Sequence, residues 1–111
     1  MSAHIALIKG DGIGADGCDA TTYLVDLCLR LVGEAPLAIT KIDAGAAYFQ
    51  ETGADIEAGG EDTAGKCDAI FLGAIGLPSI RHTNGTEISP HLRLRERFQL
   101  YAGVRPVKAY P

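Results

Sequence analysis

The sequence has no long hydrophobic run. Its longest apolar stretches, such as residues 5–8 and 69–72, are four residues long, whereas a membrane-spanning helix needs about 20 apolar residues. The first residues also lack the basic segment followed by an apolar stretch that marks a secretory signal peptide. We therefore expect a cytoplasmic protein that has no membrane partner.

Cysteine is scarce, with three residues in the chain. An odd number at wide spacing does not make a disulfide framework, and the lack of a CxxC pair argues against a zinc site. We expect buried or half-buried thiols in a reducing compartment at Cys18, Cys28 and Cys67.

Basic residues are few in the first 80 positions, where four Lys and Arg oppose twelve Asp and Glu. Residues 81–111 reverse this balance with six basic and two acidic residues, and the net charge of the chain is −4. The local excess predicts an anion site near the C-terminal end. We expect no nucleic-acid partner, since a broad basic surface and a stacking pattern of aromatic residues are both missing.

The 111 residues, 47% hydrophobic and 22% charged, have the length and composition of one globular domain. Apolar runs alternate with segments of helical periodicity, which predicts an α/β fold with a largely parallel sheet. Strands are predicted at residues 4–9, 37–43, 69–72 and 100–110. Helices are predicted at residues 15–32, 46–52, 58–66 and 90–98, the last with Ser89 as its N-cap and Pro90 as its first residue.

The final strand reaches Pro111 without a closing element and would leave an unpaired sheet edge, so we expect residues 1–111 to be an incomplete N-terminal segment.

The first long helix carries apolar and small residues at three- and four-residue spacing, which predicts one face against the core. That face consists of Cys18, Thr21, Leu24, Val25, Cys28, Leu31 and Val32.

The first strand is followed by a loop that contains Gly10, Gly12 and Gly14. Such a position allows a phosphate-binding loop, with Asp43 after the second strand as a ribose-binding acid. The spacing is GxGxG instead of GxGxxG, no GK[ST] follows, and Asp11 would repel a phosphate. The alternative is a tight turn that requires small residues, and the loop alone does not decide between the two.

The last predicted helix and strand are rich in arginine. Apolar positions flank Arg95 on a helical wheel, so we expect it to lie against protein, where a guanidinium needs an anionic partner. That partner is either an internal acid, such as Asp68 or Glu87, or a bound carboxylate shared with Arg105. A solvated face is the favoured interpretation for the opposite side of the helix, which carries Arg93 and Arg97.

Three segments together carry a family resemblance: IALIKGDGIGADG (residues 5–17), AIFLGAIGLPSIR (69–81) and HLRLRERFQLYAGVRPVKAYP (91–111). They resemble the isocitrate/isopropylmalate dehydrogenase family, which also includes tartrate, D-malate and homoisocitrate enzymes. Order and spacing agree over all 111 residues, which correspond to the opening part of the family's longer chain. The most specific pattern is LRxRxxxxLYAxxRPV in the last segment.

The resemblance implies an isopropylmalate dehydrogenase-like fold, of which this chain is the N-terminal part. That fold is a two-domain α/β architecture and not a Rossmann fold. The implied activity is oxidative decarboxylation of a (2R)-malate-type hydroxy acid with NAD or NADP and with Mg²⁺ or Mn²⁺ as a Lewis acid. The family's metal-binding aspartates and its Tyr and Lys acid–base pair would follow Pro111. We therefore expect no catalytic residue and no metal ligand in this segment, no activity from it alone, and a homodimer for the complete protein.

The resemblance also implies how a hydroxy dicarboxylate or tricarboxylate is held. Arg95 and Arg105 match the arginines that clamp the malate carboxylates. Ser89 and His91 match small polar residues that hold the γ-carboxylate in the isocitrate enzymes, although His91 could equally be a simple polar helix residue. Where isopropylmalate enzymes have a Glu and leucines, this chain has Ile88, His91 and Leu92, which favours a polar or carboxylated substituent over isopropyl.

Cofactor contacts follow from the same resemblance. The loop of residues 77–87 matches the stretch along the nicotinamide, although Leu77 replaces a residue that is commonly small. The cofactor-binding candidates are Ile13, near the adenine, and Gly76, Leu77, Pro78 and Glu87. Two other functions stay open: a non-catalytic module that binds a dicarboxylate through Arg95 and Arg105, and a small nucleotide-binding domain built on residues 10–14.

Overall fold

The chain folds around a small parallel sheet. A computed structural model describes residues 2–111, with strands β1 (His4–Ile8), β2 (Ala38–Lys41) and β3 (Ala69–Leu72) in the order β2-β1-β3. Both neighbours run parallel to the central strand, and Ala6 of β1 pairs with Thr40 on one side and Ile70 on the other. The predicted α/β fold with a parallel sheet is confirmed.

Four helices connect or follow these strands. They lie close to their predicted positions, and α1 begins two residues earlier than expected. Within the described part of the chain, no helix combines the length and the apolar character required to cross a membrane. The helices are α1 (Ile13–Val32), α2 (Ala46–Thr52), α3 (Gly60–Gly65) and α4 (Pro90–Arg97).

The core lies on one face of the sheet. Ala6 and Ile8 of β1 are fully buried, and they belong to one apolar cluster with Ala64 of α3 and Leu94 of α4. Alternate residues of a strand point to opposite faces, so the run of apolar residues in β1 supplies both faces of the sheet. The cluster fixes α4, the helix that carries three of the candidate arginines, against the sheet.

Helix α1 is less buried than its sequence pattern predicts. Of the predicted core face, only Cys18 is buried; Leu24, Leu31 and Val32 are 56%, 77% and 71% exposed, and Cys28 is exposed as well. A helix of 20 residues is about 30 Å long, whereas the five-residue central strand spans only about 17 Å. The sheet is therefore too short to cover the whole length of α1, and the prediction of a continuous buried face is wrong.

The predicted strand at residues 100–110 is also wrong. These residues belong to no strand and are exposed, with Tyr101 and Val107 at 101% and 93%. Pro106 has no N–H to donate to a ladder, and Gly103 has no side chain to pack. Pairing with a strand as short as the four-residue β3 therefore offers this segment little stabilisation.

The loop between β1 and α1 is organised by the buried carboxylate of Asp11, which is 4% exposed. It accepts hydrogen bonds from the backbone N–H groups of Ala46 at 2.8 Å, Ala47 at 2.9 Å and Gly76 at 2.7 Å. The Asp11 N–H in turn donates to the carbonyl of Ala74 at 2.7 Å. One side chain thus joins the β1–α1 loop, the start of α2 and the loop after β3.

The glycines of this loop allow a close approach of backbones. A Cβ atom at Gly10 would lie 2.0 Å from the carbonyl oxygen of Ala74, and one at Gly14 would lie 2.3 Å from that of Lys9. Gly10 also has φ = +74°, a conformation that L side chains rarely adopt. These contacts support the tight-turn interpretation of the glycine loop.

We expect Asp11→Asn to lower the free energy of unfolding by about 3 kcal/mol, since an amide presents N–H groups to at least one of the three buried donors. Chemical denaturation of both proteins would measure the difference. Asp16→Asn, which neutralises an exposed acid in the first turn of α1, is the matched control and should change stability by less than about 0.5 kcal/mol. Equal effects of the two substitutions would contradict the role of Asp11.

Candidate functional site

The segment that leads into α4 is anchored by two buried residues. Ile88 is 1% exposed and Pro90 is also fully buried, and Pro90 occupies the first turn as predicted. Ser89 stands at the N-cap position and is half-buried, but its hydroxyl does not cap the helix. The hydroxyl of Ser89 is therefore left for another hydrogen-bond partner.

The other end of α4 turns the chain back on itself. Gln99 has φ = +50°, its N–H donates to the carbonyl of Glu96 at 3.1 Å, and the N–H of Leu100 donates to that of Arg95 at 3.0 Å. This pair of hydrogen bonds is the Schellman motif that commonly ends helices. Glycine is usual at the left-handed position, so the presence of Gln99 there concealed the turn in the sequence.

The reversal brings Arg95 and Arg105 to one cleft. It has a volume of about 210 Å³ and is lined by both arginines and by residues 100–103. Arg95 is exposed, contrary to the expectation that it lies against protein, because Leu94 and the half-buried Phe98 form the face that meets the core. Two guanidinium groups at one cleft can together bind a carboxylate-rich anion.

Neither internal acid proposed as a partner of Arg95 pairs with it. The carboxylate of Asp68 accepts a hydrogen bond from the backbone N–H of His4 at 2.8 Å, and that of Glu87 pairs with Arg81 at 3.2 Å. Among residues 2–111, Arg95 makes no ion pair, unlike Arg93 and Arg97 on the same helix. Both of these arginines bind carboxylates, and their side chains remain 45% and 42% exposed, so the solvated face predicted for them is confirmed.

His91 lies one helical turn before Arg95 and is half-buried. Its Nδ1 atom is buried and has no hydrogen-bond partner in the described residues. Burial lowers the pKa of His91 below its ordinary value, the positive charge of Arg95 lowers it further, and Glu87 opposes both. An imidazolium would also bury an N–H without an acceptor, so the neutral ring is favoured.

Four of the five cofactor-binding candidates meet at a second cleft. It has a volume of about 180 Å³, and its lining includes Gly76, Leu77, Pro78 and Glu87 together with the isoleucines at positions 75, 80 and 88. Gly76 has φ = +117°, and its bond to Asp11 holds the start of this loop. The structure does not bring the fifth candidate, Ile13, to this cleft: it stands at the start of α1, where it is 78% exposed.

The far side of the second cleft is a short antiparallel bridge between Arg81 and Glu87. The N–H of His82 donates to the carbonyl of Thr86 at 2.9 Å. The ring of His82 contacts that of Phe49 in α2 edge-on, with 4.9 Å between centroids. The loop therefore has fixed contacts on both sides of the cleft.

No group of three or more His, Cys, Asp or Glu side chains in the described residues is placed to hold a metal ion. All three cysteines are free thiols. Residues 2–111 therefore do not fit a resident metal by themselves.

Fold and clefts together define a parallel α/β protein with one cleft lined by two arginines and another lined mainly by apolar residues. A sequence model of the isocitrate/isopropylmalate dehydrogenase family matches residues 4–111. The chain belongs to the isocitrate/isopropylmalate dehydrogenase family.

Individual relatives agree with this assignment. A 3-isopropylmalate dehydrogenase of Sodalis glossinidius (strain morsitans) is 31% identical over 111 residues, covering 97% of this chain and 30% of its own. A probable tartrate dehydrogenase/decarboxylase of Agrobacterium vitis is 33% identical over 107 residues, covering 96% and 30%. The crystal structure of a beta-decarboxylating dehydrogenase from Thermococcus kodakarensis in its apo form superposes with a TM-score of 0.61 at 27% identity, covering 91% and 28%. The chain thus spans about 30% of the length of the curated relatives it matches.

The lowered pKa of His91 predicts a pH dependence of stability. Below pH 6.5, the ordinary pKa of the side chain, the unfolded chain takes up a proton on His91 while the folded chain, with its lower pKa, does not. Stability is therefore lost as the pH falls from 6.5 toward the folded-state pKa and is unaffected above that window. We expect the free energy of unfolding to fall more steeply in the wild type than in His91→Gln when both are titrated from about pH 7 to about pH 5. Parallel profiles would contradict a neutral, desolvated His91.

Proposed function

We propose that this chain supplies the substrate clamp and part of the cofactor cleft of an NAD- or NADP-dependent, metal-dependent β-decarboxylating dehydrogenase that acts on a (2R)-malate-type hydroxy acid. Residues 1–111 form the N-terminal segment of that protein. The observation that carries the proposal is the meeting of Arg95 and Arg105 at one cleft, with Arg95 free of ion pairs among residues 2–111. Family membership supports an oxidative decarboxylase.

In this proposal, Arg95 and Arg105 bind the malate carboxylates. Their planar forks favour bidentate hydrogen bonds, which fix the orientation of a bound acid as well as its position. Because one arginine comes from α4 and the other from the segment after the reversal at Gln99, they can approach a dicarboxylate from two directions. Both cations also stabilise the negative charge that the acid keeps during the reaction.

Ser89 and His91 are proposed to contact the substituent that distinguishes one malate-type acid from another. The Ser89 hydroxyl makes no capping bond, and a neutral His91 with Nδ1 buried leaves only Nε2 for a ligand. Hydrogen-bonding groups at this place favour a polar substituent, such as a hydroxyl or carboxylate, over isopropyl.

The cleft of Gly76, Leu77, Pro78 and Glu87 is proposed to hold the nicotinamide end of the cofactor. Its isoleucine side chains suit a flat ring, and the carboxylate of Glu87 suits the positive charge of an oxidised nicotinamide. The bound dinucleotide would accept the hydride from the substrate. Ile13, exposed at the start of α1, is proposed to pack near the adenine.

A divalent metal is proposed for the complete protein, with its protein ligands outside residues 2–111, since those residues offer no ligand group. Arg95 and Arg105 would position the substrate oxygens for such a metal. The family resemblance also supports a homodimer, and the three free cysteines support a cytoplasmic location.

We expect Arg95→Ala to weaken the binding of D-malate to the folded chain by about 2 kcal/mol, or roughly 30-fold, because Arg105 alone would hold the acid. Calorimetric titration would measure both affinities. Arg30→Ala is the matched control: Arg30 is exposed on α1 and pairs with Asp26, so its loss should leave the affinity unchanged. An Arg95→Ala protein that binds D-malate as well as the wild type would contradict the proposal that Arg95 and Arg105 bind the acid together.

We also expect the isolated chain to produce no reduced nicotinamide from D-malate with Mg²⁺ and NAD or NADP, since the metal lacks protein ligands here. Turnover by the purified chain above background would contradict this. The alternative function, a non-catalytic dicarboxylate-binding module, shares the acid binding. It is distinguished by the intact mass of the natural polypeptide, because a product that ends at Pro111 favours the module and a longer one favours the enzyme.

A further inference from the structure

The three arginines of α4 make two kinds of contact. Arg93 and Arg97 stand four residues apart on one side of the helix, and Arg95 is rotated from each by roughly 200°. Arg93 and Arg97 bind three acids from the stretch that precedes α3 and begins it, whereas Arg95 lines the cleft with Arg105. We call this ion-pair cluster the α4 brace, and its members are Arg93, Arg97, Asp55, Glu61 and Asp62.

The brace has the geometry of a directional contact. Arg93 donates to both carboxylate oxygens of Asp55, at 2.9 and 3.0 Å, and its Nε donates to Glu61. Arg97 donates to the second oxygen of Glu61 at 2.7 Å and also to Asp62. A bidentate pair restricts orientation as well as distance, so these contacts add to the restraint that the apolar contact of Leu94 places on rotation of α4 about its axis.

Two acids of the α4 brace, Asp55 and Glu61, are largely shielded from solvent and hydrogen-bonded. The side chains of Asp55 and Glu61 are only 19% and 18% exposed. The hydrogen bond from Arg97 is the main reason why the pKa of Glu61 lies below its ordinary value. The carbonyl of Asp55 accepts a hydrogen bond from the N–H of Gly45 at 2.9 Å, beside the segment bound by Asp11. The brace therefore connects α4 to the same loop system that Asp11 organises.

We propose that the α4 brace is a positioning device for the acid-binding cleft: by binding Arg93 and Arg97, it fixes the rotation of α4 so that Arg95 alone faces Arg105. The inference rests on the proposed function. Without the brace, the unpaired guanidinium groups of Arg93 and Arg97 would be two further cations that attract the same anion, and α4 would be held by its apolar contacts alone. A dicarboxylate needs two cations at a fixed separation, whereas a monocarboxylate needs only one.

The test compares two ligands in two variants. Glu61→Gln removes the carboxylate that both Arg93 and Arg97 share, and Glu51→Gln, an exposed acid of α2 without an ion pair among residues 2–111, is the matched control. We expect Glu61→Gln to bind D-malate about fivefold more weakly while D-lactate, with one carboxylate, changes by less than about twofold. Glu51→Gln should match the wild type for both acids. The selectivity for two carboxylates over one is the readout, since a loss of stability alone lowers the melting temperature and leaves that ratio unchanged.

The possible results distinguish the positioning role of the α4 brace from the binding of the acid by Arg95 and Arg105. If D-malate binding depends on Arg95 but Glu61→Gln keeps the full selectivity, the brace is not a positioning device and the clamp stands. If wild type and Arg95→Ala bind D-malate equally, the proposed function itself fails. Should Glu61→Gln not fold, Asp62→Asn replaces it: its side chain is 65% exposed, and a smaller fall in the same selectivity is expected, with an unchanged ratio overturning the proposal.

Discussion

The structure depends on one buried carboxylate. The carboxylate of Asp11 accepts hydrogen bonds from three backbone N–H groups of two segments that are far apart in sequence. A Cβ at Gly45 would lie 2.8 Å from the Asp11 oxygens, so this position of the Asp11 side chain requires a glycine at residue 45. The constraint sets where α2 begins and where the loop after β3 starts. The second cleft depends on it directly, because Gly76 lines that cleft and donates to Asp11.

Among residues 2–111, some charged residues are paired with one another within the fold, and others are left unpaired at a cleft. The acids that outnumber bases in the first 80 residues are not simply solvated: three of them neutralise Arg93 and Arg97. The positive charge left at the cleft of residues 100–103 is that of Arg95 and Arg105. Ion pairing thus leaves two arginines at this cleft, and two positive charges match the charge of a dicarboxylate.

The surface carries apolar side chains that the fold of residues 2–111 does not cover. They lie on the outer half of α1 and along residues 100–110, where Leu31, Tyr101 and Val107 are largely exposed. The two places share a cause, since a sheet of three short strands is smaller than the elements that flank it. Exposed apolar area of this extent is typical of a surface that meets further protein, and the relatives are about three times as long as the matched segment.

The sequence by itself determined the class of the fold and most of its elements. Apolar runs and helical periodicity are local properties, so β1, α2, β3 and α4 could be read from them, and the pattern around Arg95 and Arg105 identified the family. Tertiary structure decided what each polar residue does, because that depends on partners distant in the chain. Asp11, expected only to repel phosphate, became an acceptor for three donors. Arg93 and Arg97 acquired carboxylate partners on their solvated face, Arg95 became exposed instead of enclosed, and residues 100–110 stayed unpaired, since neither a partner nor a neighbouring strand is encoded in local spacing.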